Sequence, residues 1–395
     1  MPPFYTPLLL PEALLHAQRA FGFALLRHLA QAAPQANVFI SPFSIGTALL
    51  LALEGSAGAA QEAITSTLQV SDLPPAKLAT AVARQLAVLT QQHDGEPTLV
   101  IANGLWATKG VALAPGFVAR IRQQYQANAV TLDFADPGAA DAINAWVSQH
   151  TAGKITHLVE PAALGAEVAL VLANAVYFKG EWASEFDEGA TRPGPFLLAG
   201  GAQKTVPLMH QRSQAIGYQR GPGWQAVRLR YLGYPRSASM QVFIPDQPAG
   251  LPALLAGLTA ESWVRWQAGF RQNTESLEVA LTLPRFRLEY EQDLTRALRL
   301  LGLGPALAPG ADFTPMGFAP EAPGFIGQIA HKTYLSVDEK GTEAAGITMM
   351  WLAGGAADPP KPRRVEVRAD RPFFCAIVDD ETGTILFSGA VYDPA

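Results

Sequence analysis

The sequence predicts an α+β protein, with helices gathered in the first third of the chain and strands dominating thereafter. Three observations carry that expectation. Apolar residues recur at helical spacing between Glu12 and Leu53, one long run at residues 170–178 is almost wholly apolar, and a series of short β-rich segments follows it. At 395 residues the chain has room for two or three average domains. No repeat and no Pro/Gly/Ser-rich linker divides it, which favours one large domain over residues 1–395.

Residues 12–31 place Leu15, Phe21, Leu25 and Leu29 on one helical face. Residues 41–53 read as a very apolar, buried helix starting at Pro42, a residue suited to the first turn because the N–H it lacks has no partner there. A strand is expected at 98–106, a helix from about 115 to 126, a strand at 130–134 and a helix at 139–149. The run 170–178, L-V-L-A-N-A-V-Y-F, has the composition of a central strand covered on both faces. Further strands are expected at 226–231, 240–244, 277–283, 333–337, 365–368, 373–378 and 384–387. Between the last strands lies a long stretch of small residues, Gly346 to Pro362, and a structureless loop of that length inside a domain is usually functional or disordered.

Composition narrows the function classes. The net charge of -5 arises from 29 basic and 34 acidic residues with no long run of either sign, so no nucleic-acid partner is expected. The single cysteine, Cys375, lies in the apolar run F-F-C-A-I-V and reads as a small buried hydrophobe; no internal disulfide can form. The first residues, M-P-P-F-Y-T-P-L-L-L-P, do not read as a secretory signal, so the expectation is a cytoplasmic protein or a trimmed secreted form. No apolar run approaches the roughly 20 residues that span a bilayer, and none of the asparagines begins an N-x-S/T sequon. Abundant Arg, Pro and Ala hint at a GC-rich bacterial genome or a warm habitat.

Catalytic signatures are absent: there is no G-x-S-x-G, H-E-x-x-H, G-x-x-x-x-G-K-[ST] or C-x-x-C, and the histidines show no metal-ligand spacing. Neither cofactor nor metal is expected. Ser56, in E-G-S-A-G, reads as a turn or helix-end serine, and a triad built on His331 stays open without support.

The most informative segment is E-K-G-T-E-A-A-G at residues 339–346, which joins a strand-like run to the long loop. Were the loop to become a strand, Thr342, Ala344, Gly346 and Thr348 would share one face and Glu343, Ala345, Ile347 and Met349 the other. On this octapeptide alone, a Gly/Ala-rich surface loop without such a role stays open.

Four further segments decide between these readings: N-V-F-I-S-P-F-S-I from Asn37, N-A-V-Y-F-K-G-E-W from Asn174, L-P-R-F from Leu283 and R-P-F-F-C-A-I-V-D-D-E-T-G-T-I-L-F-S-G from Arg371. Together with the hinge-like octapeptide they resemble the serpins, in serpin order and over essentially the whole chain. The resemblance implies a serpin fold of about nine helices and three β-sheets, with an exposed reactive-centre loop at about 339–362 above a large central sheet. It implies a hinge at Glu339, Gly341, Thr342, Glu343, Ala344, Ala345, Gly346 and Thr348. Beneath the sheet's centre it implies a shutter of Ser41, Ser44, Asn174 and His331. At the top it implies a breach of Trp182, Arg285 and Glu339, in which an exposed Glu339–Arg285 pair acts as a latch.

By the same resemblance the chain is a suicide-substrate inhibitor of serine proteases, not an enzyme. Its partner is a target protease held as a covalent acyl complex, and the monomer is at risk of loop-sheet polymerisation. The seventeenth residue counted from Glu339 places the reactive bond at Gly355-Ala356, although the long distal side leaves any bond from Met350 to Asp358 open. L-A-G-G-A-A suits the shallow pocket of an elastase- or subtilisin-like target, whereas a bond after Trp351 or Leu352 suits a chymotrypsin-like one. Arg363 and Arg364, beside the next strand, read as structural. Residues 71–93 hold only Lys77 and Arg84 as cations, so no heparin-like site is expected. The alternative is a non-inhibitory serpin with a chaperone or binding role; such proteins usually carry bulky, charged or proline residues at inward hinge positions, and none stands there up to Gly346. A prokaryotic member of the family is expected.

Overall fold

The computed structural model describes residues 10–91, 97–165, 168–233, 237–272, 277–342 and 362–394. Among the described residues there are nine α-helices and three β-sheets. The helix Glu12–Ala32 buries the expected stripe of Leu15, Phe21, Leu25 and Leu29. The helix Pro42–Glu54 is apolar on every side and packs against strands of two different sheets, as an all-round hydrophobic helix must. Its start is set by Pro42 in the first turn and by Ser41, whose side chain accepts the Ser44 backbone N–H at 3.4 Å.

The central sheet runs, edge to edge, through Phe286–Asp293, Ile326–Val337, Gly341–Thr342, Leu170–Glu181, Thr98–Thr108 and Asn128–Leu132. Along most of their length Ile326–Val337 and Leu170–Glu181 pair directly and in parallel, from Ile326 opposite Leu170 to Tyr334 opposite Tyr177. Above that point they part, and the two residues Gly341–Thr342 sit between them, antiparallel to both. Leu170–Glu181 is buried on both faces because the helix Pro42–Glu54 covers one and the helix Ala139–His150 the other. Under the latter lies a satellite core that includes Trp106, Ile143, Val147, Val171 and Ala173.

A second sheet of six strands is ordered Val38–Ile40, Ile385–Val391, Phe373–Asp379, Ala238–Pro245, Trp224–Arg230 and Gly217–Gly221. A third, of four strands, is ordered Arg363–Arg368, Leu277–Pro284, Gln203–Ser213 and Arg192–Leu197. Thus Gly341–Thr342 in one sheet and Arg363–Arg368 in another mark the two ends between which the loop is strung. Arg363 and Arg364 do begin that strand, and Arg364 pairs with Glu278 at 2.6 Å.

Some elements depart from the sequence expectations. The strand expected at 130–134 is Asn128–Leu132, because its parallel register with Gly104–Thr108 fixes it and Phe134 turns instead into the satellite core. The strand expected at 333–337 begins at Ile326, where Gly327 and Gln328 mask the apolar pattern. The helices Gly58–Thr67 and Pro75–Thr90 and the strand Arg192–Leu197 are additional; the last is an edge strand, where Pro193 and Pro195 are tolerated because no inner ladder bond is lost.

Candidate functional site

The seam between Leu170–Glu181 and Ile326–Val337 is held at its top and at its centre. At the top, Gly341 opposes Glu181 and Thr342 opposes Gly180. A Cβ on Gly341 would stand 2.2 Å from the Gly180 carbonyl oxygen and 2.8 Å from the Glu181 Cα, so only glycine allows this approach. Thr342 is fully covered, and its Oγ1 shares a hydrogen bond with the Tyr231 hydroxyl at 2.8 Å. The Tyr231 ring is itself stacked on Trp182, with centroids 4.5 Å apart, and meets Phe178 edge-on at 5.0 Å. Gly341 and Thr342 therefore already occupy a fitted slot.

Just before the slot, the segment 182–191 folds over the root of the loop. The Trp182 indole N–H donates to the Asp338 carbonyl at 2.9 Å and its backbone N–H to the Lys340 carbonyl at 2.8 Å. The Phe186 N–H donates to the Glu339 carbonyl at 2.9 Å. The Glu339 carboxylate accepts from Arg285 Nη2 at 2.6 Å and from Thr191 Oγ1 at 2.5 Å. Trp182, Arg285 and Glu339 thus come together, but not as the exposed pair expected from the sequence. The Glu339 side chain is only 4% exposed while that of Arg285 is 50% exposed, because the segment bearing Phe186 and Thr191 roofs the carboxylate.

Burial pushes the Glu339 carboxyl up, yet the hydrogen bonds from Arg285, Thr191 and its own backbone outweigh burial and leave it below the usual range. The pair is stronger than a surface one because the Glu339 carboxylate is covered. Glu339→Lys sets a second cation beside Arg285 beneath the covering segment and is expected to speed spontaneous insertion or polymerisation on warming, with a loss of roughly 3 kcal/mol from the resting state. Unchanged aggregation and unfolding on heating would contradict the latch.

At the seam's centre, Asn174 stands beside His331 on one neighbouring strand and beside Asn103 on the other. His331 Nδ1 donates to Asn174 Oδ1 at 2.8 Å, and its Nε2 accepts the Ser41 backbone N–H at 3.2 Å. Asn174 Nδ2 donates to Asn103 Oδ1 at 2.6 Å and to the Ser44 hydroxyl. Ser41, Ser44, Asn174 and His331 are therefore in one buried network that pins the N-terminus of the helix Pro42–Glu54 across three strands. Because Nε2 faces a donor, the His331 proton resides on Nδ1 and the ring is neutral; burial pushes its pKa down to about 3. The sequence reading omits Asn103, whose signal is a polar residue at the middle of the otherwise apolar strand Thr98–Thr108.

Other sequence candidates separate cleanly. Glu343, Ala344, Ala345, Gly346 and Thr348, the Gly355-Ala356 bond and the whole range from Met350 to Asp358 lie outside the described residues. Ser56 is buried with its hydroxyl donated to the Leu53 carbonyl at 3.0 Å, a helix-end role. The partners of His331 are a serine N–H and asparagine, with no carboxylate, so no triad forms on it. Cys375 is buried, and burial pushes its thiol up to about 12. Among the described residues no cluster of His, Cys, Asp or Glu could hold a metal ion, and no helix is long and apolar enough to cross a membrane.

The chain is similar to known proteins in both sequence and structure. The family model for "Serpin (serine protease inhibitor)" matches residues 16–394. Leukocyte elastase inhibitor of Sus scrofa is 34% identical over 390 residues, covering 97% of this chain and 100% of that protein. Serine protease inhibitor 42Dd of Drosophila melanogaster is 30% identical over 362 residues, 91% of each chain. Among solved structures, Arabidopsis AtSerpin1 in its native stressed conformation superposes with a TM-score of 0.84 at 27% identity, over 96% of this chain and 98% of that one. Human thyroxine-binding globulin does so with a TM-score of 0.85 at 25% identity, over 97% and 98%. These relatives are eukaryotic, so they lend nothing to the expected prokaryotic origin. On the family model, the sequence relatives and the three-sheet architecture together, the chain belongs to the serpin family.

Proposed function

We propose that this serpin is a suicide-substrate inhibitor of serine proteases, acting as one unit over residues 1–395 with a reactive loop at about 339–362. The observation that carries the reading is the two-residue strand Gly341–Thr342, antiparallel in the mouth of a parallel seam. A protease attacks the loop as a substrate; its serine oxygen bonds to the scissile carbonyl carbon, and the peptide nitrogen departs with the proton it receives. The freed segment then lengthens the existing strand from Thr342 downward, parting the two strands now paired between Ile326–Tyr334 and Leu170–Tyr177. The protease, tethered by its ester, is carried along the sheet, and distortion of its active site stalls deacylation.

Insertion exchanges one ladder for two. About 15 residues gain hydrogen bonds worth roughly 0.5 to 1.5 kcal/mol each, so on the order of 10 kcal/mol is available. Serpin loop insertion is an established example of a switch driven by the release of stored strain, and the open mouth of this seam is suited to it.

By the count from Glu339 the bond is Gly355-Ala356, within the wider range Met350 to Asp358, and the small residues there suit an elastase- or subtilisin-like target. The name of the Sus scrofa relative supports the elastase class. A bond after Trp351 or Leu352 would shift the target to the chymotrypsin class. The non-inhibitory alternative has a structural relative named for thyroxine binding, but Gly341 and Thr342, small and already seated, favour inhibition.

Incubation with elastase-, subtilisin-, chymotrypsin- and trypsin-like proteases, followed by denaturing gels and mass analysis of the released peptide, tests both claims. The expected result is a denaturant-resistant complex with an elastase- or subtilisin-like enzyme and a C-terminal peptide beginning at Ala356. Clean cleavage by every enzyme that cuts the loop, with no complex, would overturn the inhibitory reading.

A further inference from the structure

A polar cavity of about 570 Å³ opens on the four-stranded sheet and is walled by the segment that roofs Glu339. Arg212 and Glu366 flank Ala280 on the exposed face of that sheet, and Arg368 lies two residues further along. Glu185 and Asp187 face the same cavity from the roofing segment. None of Arg212, Glu185 and Glu366 has an ion-pair partner among the described residues, whereas Arg368 pairs with Asp370 at 3.1 Å. Charges of both signs thus line one concavity, and among the described residues Arg212, Glu185 and Glu366 stand there without an ion-pair partner. A bare anion would meet three carboxylates there, and a bare cation would meet two guanidinium groups.

A second feature links this cavity to the loop. Gln211, only 8% exposed, lines the cavity and ties the roofing segment to the sheet: its Nε2 donates to the Ser184 carbonyl at 2.7 Å and to the Glu185 carbonyl at 3.1 Å, while its Oε1 has no partner among the described residues. The opposite side of the same segment grips the loop's root through the Phe186 N–H and the Thr191 hydroxyl, both on Glu339. Whatever occupies the cavity therefore bears on the residues that hold the hinge.

We propose that the cavity binds the C-terminal end of a short basic peptide, carboxylate toward Arg212 and Arg368 and cationic side chain toward Glu185 and Asp187, and that occupancy tightens the grip on Glu339. The volume is in the range of about 300 to 1,000 Å³ typical of small-ligand sites, and each end of such a ligand gains charge-assisted hydrogen bonds. The binding half is independent of the inhibitory reading; the regulatory half rests on it.

Calorimetric titration of the full chain with the dipeptide Gly-Arg is the test. Saturable binding is expected, weakened at least about tenfold by Arg212→Gln, by Glu185→Gln, by amidating the dipeptide's carboxylate or by replacing it with Gly-Leu. No saturable heat up to about 50 mM, or equal binding of all three peptides, overturns the site. Binding that survives both variants does so too, and an effect of the variants confined to the rate with a protease would assign the surface to a macromolecular contact instead. Saturating Gly-Arg should also slow heat-induced polymerisation of the wild type several-fold, as coupling between sites requires, and leave Glu339→Gln unaffected; an equal rate with and without ligand overturns the regulatory half. Loss of the covalent protease complex in the panel above reports on the inhibitory reading alone.

Discussion

Thr342→Arg is expected to convert the protein from an inhibitor into a substrate. Thr342 is fully covered, held by Tyr231 and walled by Gly180, whose own Cβ position is already 2.8 Å from the Tyr231 ring. A guanidinium in that slot loses its hydration and finds no carboxylate in compensation, at a cost of several kcal/mol. The strand start is then expelled, and insertion must begin from an unseated loop. In the proposed mechanism inhibition is a race between insertion and deacylation, and enzymes turn over at roughly 1 to 10³ per second, so even a hundredfold delay, about 2.7 kcal/mol, decides the outcome. The yield of denaturant-resistant complex should fall at least about tenfold while the rate of loop cleavage stays within about twofold. Glu343→Arg, on the alternate face by strand periodicity, should retain the complex. Complex at the wild-type yield in Thr342→Arg would contradict the model.

The second large effect is acid lability of the seam. His331 is neutral and its pKa is near 3 in the folded protein, against an ordinary value of 6.5. A histidine depressed on folding binds its proton more readily in the unfolded chain, so its contribution is complete above about pH 6.5 and lost as pH falls. The loss is about 1.4 kcal/mol per pH unit, or roughly 2 kcal/mol by pH 5 and about twice that by pH 3.5. Protonation also turns Nε2 from acceptor to donor against the Ser41 N–H, which breaks the network at the point where helix and strands meet. His210 is lowered too, by burial and then by Arg368 and Arg192, so the denaturation midpoint should be followed between pH 7 and 5 in a His210→Gln background. A falling midpoint with faster polymerisation is expected; a flat one would contradict the neutral, buried histidine.

Much of this is legible in the sequence alone, because the decisive segments obey local rules. The run at 170–178 is apolar at every position but Asn174, which marks both a central strand and the polar residue that needs partners within it. Pro42 after Ser41 announces a helix start, and the small Gly341 and Thr342 suit a strand start seated between two others. What sequence could not convey is depth. Glu339 reads as an ordinary charged residue, and only the fold of 182–191 across it makes it a covered carboxylate.

The same limit explains the other differences. Tyr231 ends a β-rich run and shows no local sign of touching Thr342, more than a hundred residues away. Asn103 gains meaning only from the register that places it beside Asn174. Arg192–Leu197, with two prolines, resembles a loop until its place at a sheet edge is known. The helix Pro75–Thr90 is the exception: Leu78, Val82, Leu86 and Leu89 form a regular buried stripe whose spacing alone announces a helix.

The central claim is that the seam between Leu170–Glu181 and Ile326–Val337 accepts the loop as a full strand. The most direct measurement is the unfolding temperature of the purified protein before and after its loop is cut once by a protease it does not trap. Two new ladders in place of one should raise the midpoint by about 10 °C or more, given roughly 10 kcal/mol of new interactions and the entropy scale of a chain this size. An unchanged or lower midpoint after complete cleavage would contradict the claim.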